Sequence, residues 1–106
     1  MSKKVVYIAG PTKNVKDYWK PFEEAEDIIS AMGYVVLTPT RLPWNLDNEK
    51  AMSIRLAMIE QADAVYFLPG WSKSTDSVLE MHHCKYFGKP HCVKLSALVD
   101  LRGDHA

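Results

Sequence analysis

The sequence predicts a small three-layer α/β fold built on a four-stranded, all-parallel sheet. Three observations carry this prediction. Short apolar runs alternate with longer amphipathic stretches in the order β-α-β-α-β-α-β. Strands separated by helices in this way pair in parallel through right-handed crossovers. The first run, Val5-Val6-Tyr7-Ile8-Ala9, is apolar at every position, as expected of a strand covered on both faces. Helices on both faces then give strand order 2-1-3-4, a flavodoxin- or Rossmann-like arrangement.

The elements follow in order. The first strand ends at Gly10-Pro11. From Asp17 to Met32, apolar residues recur at steps of three and four (Tyr18, Phe22, Ala25, Ile28, Ile29, Met32), and Gly33 supplies a helix stop. Tyr34 to Leu37 is the second strand, stopped by Thr38-Pro39. Asn48 to Gln61 is the second helix, with Met52, Leu56 and Ile59 on one side. Asp63 to Leu68 is the third strand, stopped by Pro69-Gly70. Ser74 to Phe87 is the third helix, closed by Gly88. Pro90 to Lys94 is a short fourth strand, and Leu95 to Leu101 suggests a short final helix.

Composition narrows the function classes. The 106 residues fit one domain, spanning 1–106. Thirteen basic residues balance thirteen acidic ones. That argues against a nucleic-acid polymer as partner, which calls for a basic excess. It also does little to oppose self-association. The apolar run after Lys3-Lys4 stops at Gly10, too short for a signal peptide or a membrane span. Two cysteines make no disulfide framework. The expected setting is therefore the cytoplasm, or a host's cytoplasm if a phage encodes the chain. His82, His83, Cys84, His91 and Cys92 lack metal-ligand spacing, so neither metal nor cofactor is expected.

In a doubly wound sheet the ligand crevice lies at the carboxyl ends of the strands, where the winding reverses. Here that means the segments after strands one and three, Tyr7 to Asn14 and Pro69 to Glu80. Gly10-Pro11-Thr12-Lys13 is neither a P-loop nor a dinucleotide fingerprint. It serves as a plain turn, or it lets a ligand approach the backbone closely. Ser74 suits a helix N-cap, and Asp76 suits the first-turn dipole. The alternative is that the helix start holds an anion or a sugar hydroxyl, although Asp76 would repel phosphate. Trp71 stacks on a planar base, packs under its loop or lies in a subunit interface. Glu80, six residues after Ser74, is either a surface carboxylate or one that looks back toward the crevice.

Taken together, these residues resemble a known family. Tyr7-Ile8-Ala9-Gly10-Pro11, Ala62-Asp63-Ala64-Val65, Leu68-Pro69-Gly70-Trp71 with Ser74 and Glu80, and Phe87-Gly88-Lys89-Pro90 are similar to the nucleoside 2-deoxyribosyltransferase-like superfamily. The nearest branch is its short phage and bacterial members, related to deoxynucleoside monophosphate N-glycosidases. The resemblance spans about residues 4 to 94. It implies that Glu80 is a nucleophile attacking C1′ of a nucleoside or nucleotide, with Tyr7 hydrogen-bonding it. It implies that Ser74 binds the sugar 5′ end. Gly10, Pro11, Trp44, Asp63 and Trp71 join the expected ligand contacts. A carboxylate fits an oxocarbenium-like transition state, which it both stabilises and captures.

Two positions depart from the pattern. Asp76 stands where the family has glycine. Arg55, eight residues before Asp63, stands where the family has an aspartate assisting the base. A guanidinium cannot serve as that acid. It is expected to pair with Glu80 or Asp76, or to bind a phosphate. Three functions follow: an N-glycosidic hydrolase or transferase, a non-catalytic binder that sequesters or senses a nucleotide-derived molecule, and a protein-interaction module that keeps only the fold. A homodimer or larger homo-oligomer is expected in each.

Overall fold

The computed structural model describes residues 3–98. Four strands form one parallel sheet in the order β2-β1-β3-β4: β1 Val5–Ala9, β2 Val35–Leu37, β3 Ala64–Phe67 and β4 His91–Cys92. The helices are α1 Trp19–Ala31, α2 Asn48–Gln61 and α3 Thr75–Phe87. The register pairs Tyr7 with Leu37 on one side and with Val65 on the other. The predicted fold class and strand order are those observed.

β1 is central, and its alternation explains its composition. Val6 and Ile8 face a core shared with Phe22, Ala25 and Ile29 of α1. Tyr7 and Ala9 face a second core shared with Ile59 of α2 and with Met81 and Cys84 of α3. A strand buried on both faces must be apolar throughout, and Tyr7 is the one residue in it with a polar tip to satisfy.

The edges differ from the sequence reading. α1 begins at Trp19 rather than Asp17, because Asn14 and Asp17 take left-handed conformations (φ 57° and 53°). Such residues belong to turns, not helix interiors. β4 shrinks to two residues. Thr38 caps a 3₁₀ turn at Pro39–Arg41, which the sequence reading leaves as loop. Of the expected final helix, residues 99–101 lie outside the described part. Among the described residues, no helix is long and apolar enough to cross a membrane.

Candidate active site

Three elements bring one polar cluster together inside the second core. β1 carries Tyr7, α2 carries Arg55 and α3 carries Glu80. Tyr7 donates its phenol hydrogen to Glu80 Oε2 at 2.6 Å. Arg55 Nη2 donates to Glu80 Oε1 at 2.8 Å, and Nε donates to Glu80 Oε2 at 3.2 Å. Nε also approaches the Tyr7 hydroxyl at 3.3 Å. Glu80 is completely buried (0% exposed), and Arg55 is nearly so. The carboxylate is thus gripped in the two-pronged manner that suits guanidinium and carboxylate geometry.

Charge continues outward from this pair. Arg55 Nη1 lies 3.5 Å from Asp76 Oδ2, and Lys13 Nζ lies 3.2 Å from the same oxygen. The chain Glu80–Arg55–Asp76–Lys13 runs from the core to the surface. Burial raises Glu80 above the ordinary carboxylate range, against the pull of Arg55 and of the Tyr7 hydrogen bond. Burial opposes the charge on Arg55, but Glu80 and Tyr7 together outweigh it and raise the pKa of Arg55 further. Burial, and then the adjacent Glu80, keep the Tyr7 phenol protonated well above its ordinary value. Tyr7 is therefore a fixed donor, and an ionised Arg55–Glu80 pair is the state these neighbours favour.

Two cavities flank the charged chain. One, of about 180 Å³, is lined by Arg55, Lys13, Tyr18, Asn48 and Trp44 among others. The other, of about 460 Å³, lies over the start of α3 and is lined by Pro11, Lys13, Lys73, Ser74 and Asp76 among others. Lys13 borders both.

The expected site residues divide into two groups. Glu80, Tyr7, Arg55 and Asp76 meet directly, while Ser74, Pro11 and Trp44 border the cavities. Ser74 also caps α3, its Oγ accepting the Ser77 N–H. Asp63 stands apart from this cluster. It lies at the opposite end of the sheet, where its Oδ2 accepts the Val5 N–H at 2.7 Å and ties β3 to β1. Trp71 packs its ring against Phe67 at 5.5 Å, which is the reading under its own loop. Gly10 has a packing reason, since a Cβ there would sit 2.7 Å from Leu68 Cδ1 and 3.0 Å from Leu68 Cβ.

Two residues escaped the sequence reading. Lys13 becomes part of the site only through its ion pair, and its place after the first strand was the available signal. Ser77 is fully buried, and its Oγ has no partner among the described residues. Only the burial of the α3 face could have marked it. The described residues contain no group of three or more His, Cys, Asp or Glu placed to hold a metal ion.

The comparison with known families decides the membership. A family model described as "Domain of unknown function (DUF4406)" matches residues 4–93. The chain belongs to this family. No curated protein matches the sequence. Among solved structures, this DUF4406 chain is similar to the 2-desoxiribosyltransferase from Leishmania mexicana, with a TM-score of 0.67 at 18% identity. That alignment covers 83% of this chain but only 61% of the Leishmania enzyme. The 2-deoxyribosyltransferase from the psychrotolerant bacterium Bacillus psychrosaccharolyticus gives a TM-score of 0.65 at 21% identity, over 82% of this chain and 69% of that one. The fold is therefore nucleoside 2-deoxyribosyltransferase-like, as the residue resemblance implies.

Proposed function

We propose that the DUF4406 chain cleaves the N-glycosidic bond of a nucleoside or nucleotide, with Glu80 as nucleophile. One observation carries this reading. A carboxylate is buried at the crevice of a deoxyribosyltransferase-like sheet and held by an arginine and a tyrosine. Taking such a pair out of water costs several kcal/mol per ion before their attraction is counted. An apolar pair would fill a purely structural position as well.

In this mechanism a Glu80 oxygen attacks C1′. The C1′–N bond breaks and its electron pair leaves with the base. The product is a glycosyl ester on Glu80. Water then releases the sugar, or a second base accepts it. Tyr7 donates to the carboxylate and orients it. Arg55 supplies no proton; its positive charge stabilises the departing base. Access requires the Arg55–Asp76–Lys13 chain to move, since Glu80 has no exposed surface.

That same burial favours a second reading. Both Glu80 oxygens are occupied, so the crevice would hold a nucleotide-derived ligand intact. A panel of nucleosides and monophosphates separates the two. Base release, a glycosyl adduct on Glu80 by mass spectrometry, and a loss of more than about a thousandfold in Glu80→Gln support catalysis. Tight binding with intact ligand recovered supports the binder.

The reading includes self-association of the single domain. α3 presents Leu79, Tyr86 and Phe87 to solvent, with Tyr86 83% exposed. A monomeric mass by light scattering at micromolar concentration would contradict it.

A further inference from the structure

The smaller cavity has a chemistry of its own. Arg55 and Lys13 line it, and no carboxylate does. A guanidinium has five N–H donors. Glu80 engages Nε and Nη2, and Asp76 engages Nη1. One N–H on Nη1 and one on Nη2 are left without a protein acceptor among the described residues. Guanidinium N–H groups suit carboxylate or phosphate oxygens. Trp44 lines the same cavity and is 88% exposed. An indole ring left in water offers a stacking surface beside those donors.

Size limits what enters. Whole-ligand pockets run from about 300 to 1,000 Å³. At about 180 Å³ this cavity takes part of a ligand. The larger cavity beyond Lys13 is left for the remainder. We propose that the smaller cavity is a subsite for a planar heterocycle carrying an oxyanion, with the ring on Trp44 and the oxyanion on Arg55 and Lys13. The proposal rests on the nucleoside reading for the rest of the ligand, and not for the ring itself. An oxyanion could be carried on the ring or on the sugar as a phosphate. Arg55, Lys13 and Trp44 share one cavity, which places it on the ring. In the cluster, two cations balance Glu80 and Asp76, so recognition comes from aimed N–H groups rather than excess charge.

Calorimetry on the full chain tests this with four probes: uracil, orotate (the same ring with a carboxylate), deoxyuridine and its 5′-monophosphate. Orotate is expected to bind at least about tenfold tighter than uracil. Lys13→Gln, at a half-exposed lysine, lowers the orotate preference and leaves uracil unchanged. Arg55→Met with Glu80→Gln removes both buried charges together and abolishes the preference, with circular dichroism confirming the fold. Orotate binding no tighter than uracil overturns the proposal. So does a gain confined to the monophosphate, which would put the oxyanion on the sugar. An orotate preference without base release from any nucleoside keeps this subsite and refutes catalysis. Base release from uncharged nucleosides without an orotate preference does the reverse.

Discussion

Replacing Arg55 by methionine isolates the central interaction. The substitution keeps the aliphatic bulk and removes the cation that holds both oxygens of Glu80. Glu80 is then a fully buried carboxylate with only the Tyr7 hydroxyl left of its two partners. Breaking a buried pair this way costs about 3–5 kcal/mol. A chain of 106 residues has about 5–15 kcal/mol in total. The variant should therefore lose about a fifth or more of its stability and melt at least about 10 °C lower. The pH dependence gives a sharper signature. Burial already raises Glu80 in the native protein, with Arg55 opposing it. Without Arg55 the folded-state pKa rises further above the unfolded value. The folded variant then binds the proton more tightly than the unfolded chain. Its stability falls as pH rises from the unfolded pKa through the folded one, and recovers on acidification through the same window. Adding Glu80→Gln removes the stranded charge and restores much of the loss. Urea unfolding across pH 5 to 8 on both single variants and the double variant measures all of this. A loss below about 1 kcal/mol in Arg55→Met, or single effects that add within about 0.5 kcal/mol, would refute the buried-pair reasoning.

Other consequences can be checked independently. Asp63→Ala should cost about 1.5–3 kcal/mol, because it strands the Val5 N–H that the carboxylate accepts. Ligand binding should not change with it; calorimetry showing a weakened ligand in a folded variant would return Asp63 to the site. Gly10→Ala should destabilise by about 1–3 kcal/mol, since the new Cβ meets Leu68 inside van der Waals distance. A variant as stable as the native chain in thermal melts would contradict this. Cys84 is buried and its thiol is pushed up to about 11 by burial and then by Glu80. It should resist alkylation at pH 8 in the native state and react only on unfolding; peptide mapping of the labelled protein reads the difference. If Glu80 is the nucleophile, base release should fall at acid pH, with its acidic limb above the ordinary carboxylate range because the folded pKa is raised.

The architecture was legible because it depends on local regularities. An unbroken apolar Val5–Ala9 announces a two-sided strand, and glycines mark the ends of α1 and α3. The motif around Ser74 and Glu80 lies at the start of α3, where Ser74 borders a cavity and Glu80 meets Tyr7 and Arg55. Element ends were less legible. Asp17 looks helical by spacing, yet its positive φ makes it part of the turn before α1. Asp63 and Trp71 showed the limit more clearly. Both sit in recognisable motifs, but one bonds Val5 at the far end of the sheet and the other packs on Phe67.

By itself the sequence determined the fold class and the strand order, and it named the four residues of the polar cluster within a longer set of candidates. It also fixed the absence of an acid at position 55, since arginine holds its proton at any ordinary pH. Whether Arg55 faced Glu80, Asp76 or a ligand was open, because Arg55 lies on α2 while Glu80 and Asp76 lie on α3, and helix phase alone does not set the distance between two helices. Only the packing of α2 and α3 over β1 decided it. That packing gives Arg55 to Glu80 first and Asp76 second, and it removes Glu80 from water altogether. Spacing along a chain fixes which residues share a face. The depth of a carboxylate and the identity of its partner are set by how faces meet in space, and in this protein they leave Glu80 fully buried with both oxygens held by Arg55.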